Sequence, residues 1–228
     1  MPRKHILLTL LVIALLNLPT MPAFAGGWAV ATLDAWPGAV VAGEPVEIGF
    51  AIRQHGVTTL EALAPVITAT HRETEASFAV DAVEDAPGHY SATLIFPEAG
   101  EWDWMLTAFG PDQPLPTLTV LPEDTDPEAT PEAPDDPDAA LAELGATLFV
   151  AKGCAVCHEH NGVEFELFAS NNRGPELSDY SGDPDFLAQW LADPASVDPS
   201  TAMPDLDLDE GEIEALIAFL NADAEPAE

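Results

Sequence analysis

The sequence predicts two folded domains of different class: an all-β, immunoglobulin-like sandwich, then an all-α domain, joined by an acidic Pro-rich linker. Three observations predict this. Before residue 121 apolar residues recur every second position, with turn signals about every ten residues. Residues 122–138, PEDTDPEATPEAPDDPD, hold neither an aromatic residue nor a base. From 139 to 222 apolar residues recur at helical spacing. A chain of 228 residues is long enough for two separate cores.

The first 25 residues stand apart. Arg3 and Lys4 precede the apolar run HILLTLLVIALLNL, and Ala23-Phe24-Ala25 supplies an A-x-A cleavage site. This is the pattern of a secretory signal peptide, residues 1–25, cut after Ala25. The run is short for a bilayer span, which takes about 20 residues. The expected location is therefore extracytoplasmic, periplasmic or secreted, with a membrane-anchored form if the signal is uncleaved.

Residues 26–121 read as strands. Val46, Ile48, Phe50 and Ile52 alternate with Glu47, Gly49, Ala51 and Arg53; Tyr90, Ala92, Leu94 and Phe96 alternate likewise, as do Trp102, Trp104 and Leu106. Six to eight antiparallel strands in a small sandwich follow from this patterning. Residues 122–138 cannot pack, because charge repulsion and proline hold them extended. At about 3.1 Å per residue they reach at most roughly 50 Å, a tether that lets the two domains swing.

In residues 139–222, Leu141, Leu144, Leu148 and Phe149 share a helical face. Asp183 before Pro184 caps a helix carrying Phe186, Leu187, Trp190 and Leu191. Ile213, Leu216, Ile217 and Leu220 form a stripe behind Asp209, Glu210 and Glu212, acids suited to a helix N-terminus. Residues 223–228 are an acidic tail. Long irregular stretches separate these helices, so a domain this small needs something besides side chains in its core.

Charge excludes some partners. Forty Asp and Glu face six Lys and Arg, a net charge of -34. Such a surface repels nucleic acid and anionic lipid and favours basic partners, or serves as a solvated coat.

Both cysteines lie in KGCAVCHEH, residues 152–160. Cys154 and Cys157 are one helical turn apart and share a face, and His158 follows at once. Two thiols so placed can add to the two vinyl groups on one edge of a haem, leaving the imidazole toward the iron. C-x-x-C-H is accordingly a haem c attachment signal. Other readings of the pair are weaker. Structural zinc wants four ligands and a second Cys pair is missing; a thioredoxin-like pair wants a βαβ setting; a disulfide across two residues spans poorly.

The segments LGATLFVAKGCAVCHEHNG, NNRGPEL and DFLAQWLADPASVDPSTAMPDLDLDEGEIEALIAFL closely resemble class I cytochromes c. The resemblance covers residues 139–222 and implies an all-α cytochrome c fold holding one covalent haem c. It implies that the first helix crosses the last, with Gly145 and Phe149 meeting Leu216 and Phe219, and that His158 donates its second ring N–H to the carbonyl of Pro175. FAIRQHGVTTLEALAPVITAT and APGHYSATLIFPEAGEWDWML resemble the YtkA-like (FixH-like) extracytoplasmic β-domains.

The iron's other face takes a ligand or stays open. His160 is too close to His158 to reach it, and His55, His71 and His89 lie across the tether. Met105 is on a predicted strand. Met203 remains, followed by Pro204, and matches the family's Met-Pro segment in order and spacing; otherwise it is a core methionine. A thioether favours ferrous iron and suits electron transfer. Lys152 and Arg173 are the only bases in 139–222. Arg173 is placed either to pair with an anionic haem propionate or to serve as a loop residue. Trp190 either edges the haem or fills the core.

The expected function is an extracytoplasmic monohaem carrier, not an enzyme. It would pass single electrons between basic-surfaced redox proteins or membrane respiratory complexes, with no nucleic acid and no small-molecule substrate. The β-domain would dock or position it. A rival reading has His55, His71 and His89 gather to bind copper for oxidase assembly. A two-haem peroxidase would need a second C-x-x-C-H, which the sequence lacks.

Overall fold

The computed structural model describes residues 29–108, 110, 112–126, 134–163, 165 and 174–222. The expected signal peptide, the middle of the tether, Arg173, Trp28 and the acidic tail lie outside the described residues.

The N-terminal block forms two sheets around one core. The first has the order β1 (Ala29–Leu33), β3 (Pro45–Gln54), β8 (His89–Ile95), β7 (Val83–Ala86), with β4 (Thr58–Thr59) on β3. The second runs β2 (Val40–Val41), β11 (Leu118–Leu121), β9 (Gly100–Thr107), β5 (Val66–His71), β6 (Ser77–Asp81), with β10 (Gln113–Pro114) on β9. Pairing is antiparallel except between β2 and β11, which run parallel. The strands of four residues or more fall within the predicted number; β2, β4 and β10 are two-residue additions too short to leave a period in the sequence.

Alternation sets which face is buried. Ile48, Phe50 and Ile52 of β3 point inward with Tyr90, Ala92 and Leu94 of β8 and Trp102, Trp104 and Leu106 of β9. Phe50 lies opposite Tyr90 in the ladder, with ring centroids 5.9 Å apart. Polar tips of the aromatics are satisfied at the rim of the core: Trp104 Nε1 donates to Pro116 O at 2.7 Å, and Tyr90 Oη to Leu60 O at 2.8 Å.

Strand β1 breaks the alternation. All five residues of AVATL are buried. Ala29, Ala31 and Leu33 face the sandwich core. Val30 and Thr32 face the other way, and something else covers them. The free edge of β1 is also closed: the Gln113 amide accepts from Ala31 N and donates to Ala31 O, each at 2.8 Å. That removes a pairing template from an edge strand.

The C-terminal block holds α1 (Pro137–Ala151), a single 3-10 turn at Cys154–Val156, α2 (Pro184–Ala192), the short α3 (Pro194–Val197) and α4 (Glu210–Asn221). Three helices open on Asp-Pro. Asp136, Asp183 and Asp193 accept from the N–H groups of Ala139, Phe186 and Ser196, with Pro at the first helical position. Helix α1 therefore begins at Pro137, inside the expected tether, because the last Asp-Pro of the acidic run is a helix start. Asp209 and Glu212 form a reciprocal capping box on α4. Helices α1 and α4 cross as expected: Phe149 and Phe219 are 5.5 Å apart, and a Cβ on Gly145 would lie 2.0 Å from Ala215 O. Only glycine permits that approach.

The two blocks touch, a correction to the expectation of domains swinging on a tether. The 3-10 turn and the end of α1 cover the outer face of β1. Val30 packs with Val156, Cys157 and Phe165. Ala151 joins the sandwich core, and Trp36, just after β1, packs against both cores. Lys152 Nζ donates to Asp34 O at 2.6 Å across the junction. Among the described residues no helix is long and apolar enough to cross a membrane.

Candidate functional site

Helix α1 ends on Lys152, and Gly153 follows at φ +81°. That left-handed step turns the chain into the 3-10 turn. A side chain there would also strike Val30, since a Cβ on Gly153 would lie 2.6 Å from Val30 Cγ2. The turn bonds Cys157 N to Cys154 O at 3.0 Å and His158 N to the same carbonyl at 2.9 Å. Both cysteines and His158 are thereby fixed on one short, tightly wound segment.

Neither cysteine is in a disulfide. Burial pushes the Cys154 thiol up to about 12, so at neutral pH it is an uncharged SH. A thiolate for disulfide exchange is disfavoured there. His158 is half-buried, and burial pulls its imidazole below the ordinary histidine value against the opposing pull of Pro175 O. Its Nδ1 lies 2.9 Å from that carbonyl, the partner expected for it. Nδ1 then carries the proton and Nε2 is left with its lone pair, the form a metal ligand needs. Gly174 packs against the ring; a Cβ there would sit 2.2 Å from His158 Cε1.

Two adjoining hollows meet at this segment. The inner one, about 220 Å³, is walled by apolar side chains of the helical domain, among them Phe149, Leu187, Leu191 and Leu216. The outer one is about 260 Å³. Cys154, His158, Trp190 and Met203 line both. Met203 thus shares a cavity with His158, and Trp190 Nε1 lies 3.0 Å from its sulfur. Trp190 stands on the cavity wall rather than within the helical core. His160 is buried against Phe219, ring centroids 4.2 Å apart, in the α1–α4 crossing and away from the cavity lining.

The cytochrome c family model matches residues 142–222. The match supports a cytochrome c domain in the C-terminal part of the chain and, with it, a haem-based electron carrier. It stops short of the β-domain. No curated protein matches the chain at a significant level. Among solved structures, domains 4 and 5 of the S-layer protein SbsC align at 11% identity over 42% of this chain and 54% of that one, with a TM-score of 0.29. MtrC from Shewanella baltica aligns at 11% identity over 60% of this chain and 30% of that one, with a TM-score of 0.27. The chain spans less than two thirds of either, and likenesses this loose carry no argument.

The residues of the cytochrome c domain fit a haem. Two thiols, an imidazole with one nitrogen tied back and a thioether line the two hollows. That donor set suits a covalently held iron porphyrin and not a hydrated ion. The outer hollow adds residues that the sequence did not point to: Val30 and Thr32 of β1 and the turn His55–Val57 line it with Cys157 and Pro175. The one signal for them was the unbroken small and apolar run of AVATL, which marks a strand covered on both faces.

The expected copper set is not assembled. His71 is buried edge-on to Trp102; one ring nitrogen lies 3.0 Å from Ala99 O and the other accepts from Glu73 N and Thr74 N. His89 sits between Asp34 and Asp85, and His55 lines the outer hollow. Among the described residues no group of three or more His, Cys, Asp or Glu is arranged to hold a metal ion.

Proposed function

We propose that this chain is an extracytoplasmic monohaem c-type cytochrome that carries single electrons between respiratory partners. The bound iron supplies the chemistry by alternating between ferrous and ferric states. The chain's own residues do the rest. Cys154 and Cys157 would hold the porphyrin through their sulfurs, and His158 and Met203 would bind its iron. Pro175 O fixes the tautomer and orientation of His158. With His158 and Met203 both bound, the iron would offer no site to a substrate, which suits a carrier rather than a catalyst.

The observation that carries this reading is the placement of Met203 on the same cavity wall as His158, whose Nδ1 is already tied to Pro175 O. The acidity of the chain favours basic-surfaced redox proteins or membrane respiratory complexes as donor and acceptor, through steering that salt would weaken. Export by residues 1–25 is part of the proposal, since haem-holding cysteines separated by two residues are placed here behind a signal-like leader.

Expression with a cytochrome maturation system tests it. The purified chain should carry the mass of one covalently bound haem and, when oxidised, a near-infrared sulfur-to-iron charge-transfer band. Met203→Ala should remove that band and lower the midpoint potential. A bare polypeptide mass overturns the proposal; a haem whose spectrum is indifferent to Met203→Ala overturns the axial assignment.

A further inference from the structure

We infer that the β-domain is a structural wall of the haem pocket, with β1 and the β3–β4 turn closing the side bounded by Cys154 and Cys157. The inference rests on the haem reading above and goes beyond it, because it assigns cofactor contacts to a domain outside the cytochrome c match.

The first observation is the double burial of β1. Its inward residues belong to the sandwich, and Val30 and Thr32 are sealed by the segment that carries the haem motif. The second is an unpaired hydroxyl. Thr32 is 4% exposed, lines the outer hollow, and its Oγ1 has no hydrogen-bond partner. A buried hydroxyl left alone is costly, so proteins seldom leave one without a ligand or water to meet it. The third lies on the neighbouring strand. Arg53 faces Val30 in the β1–β3 ladder, and its Nη1 is likewise buried without a partner. Burial draws its guanidinium below the ordinary value, while Asp34 and, across the junction, Asp205 oppose that. Asp205 follows the Met203-Pro204 pair, so Arg53 of β3 feels the charge of the loop that carries the proposed ligand.

The junction is also fastened. Lys152, fully buried, joins Glu212 of α4 to the backbone of Asp34. Gly153 leaves room for Val30 at the start of the 3-10 turn, since a Cβ there would lie 2.6 Å from Val30 Cγ2. Strand β1 and the turn His55–Val57, outside the cytochrome c match, line this side of the cavity. A shell of this kind controls water access and local dielectric, and through them the potential of a metal site.

Nuclear magnetic resonance of the full ¹⁵N-labelled holoprotein tests the wall directly. Low-spin ferric iron is paramagnetic and ferrous iron is not. Backbone signals of Val30, Thr32 and Gly56 should therefore shift between oxidation states as strongly as those of Gly174 and Thr201, which line the same hollow. Signals of β6 should stay fixed. If Gly174 shifts while Val30, Thr32 and Gly56 do not, the wall is wrong and the haem reading stands. If the chain carries no haem, the haem reading itself falls. As a second measurement, the neutral replacements Val30→Gln and Thr32→Gln together should speed reduction by ascorbate at least threefold while haem remains attached. An unchanged rate in the folded holoprotein overturns the inference.

Discussion

Lys152 Nζ lies 2.7 Å from Glu212 Oε1, with the lysine side chain fully buried and the glutamate 11% exposed. The same ammonium donates to Asp34 O, and the other oxygen of Glu212 accepts from Asp209 N at 3.2 Å. One ion pair thus ties the end of α1, the capping box of α4 and the β-domain together. A buried charge that loses its partner typically costs about 3–5 kcal/mol. Glu212→Gln should therefore destabilise the chain by about 3 kcal/mol, read as a lower denaturant midpoint. Lys152→Met with Glu212→Gln should recover much of that loss, since neither charge is then stranded. A single variant as stable as the parent would show that the pair is not closed in solution.

The α1–α4 crossing depends on one missing methyl. A Cβ at Gly145 would lie 2.0 Å from Ala215 O and 2.6 Å from Phe219 Cβ. The obstruction is helix backbone, which cannot step aside as a flexible side chain would. Gly145→Ala gains helix propensity worth about 1 kcal/mol. Overpacking costs about 1–3 kcal/mol and should exceed that gain, for a net loss of up to about 2 kcal/mol in chemical denaturation.

Gly174 plays the corresponding part for His158. Gly174→Ala would drive a methyl into the imidazole at 2.2 Å from Cε1. The ring can yield only by breaking the Nδ1 contact to Pro175 O. The expected result is a holoprotein with perturbed axial ligation: a shifted Soret maximum and a weaker charge-transfer band, at unchanged β-domain stability. A spectrum identical to the parent would mean that the ring has room the geometry denies.

The cavity walls from the helical domain were legible because chemistry fixes residue type there. C-x-x-C-H, the Pro175 carbonyl and Met203 ahead of the last helix are local patterns. Strands β3, β8 and β9 were legible for a similar reason, since alternation survives wherever one face is buried and the other wet. Thr32, Arg53 and His55 were not legible. They act through contact between domains more than ninety residues apart in sequence, and no periodicity encodes such a meeting. Lys152 stood in the sequence as one of two bases in 139–222 with no partner assigned, and its charge is paired with Glu212. The histidines of the β-domain read as one possible set, and packing sends each to a different neighbour.

His89 couples the junction to pH. Its Nε2 lies 2.8 Å from Asp34 Oδ2, and its Nδ1 bonds Asp85 Oδ1. Burial pulls the imidazole down, but the two carboxylates together outweigh it and hold the group above its ordinary value. A folded-state value above the unfolded one means that the proton is bound more tightly in the native chain. The stabilisation is therefore complete below about pH 6.5 and fades as pH rises through the raised folded value. Asp34 also accepts from Lys152 through its carbonyl, so His89 and the segment against which the haem motif rests share one residue. His89→Gln should be less stable than the parent at pH 5.5, and the two should converge at alkaline pH. A stability difference that stays constant from pH 5.5 to 9 would place the effect of His89 in packing alone.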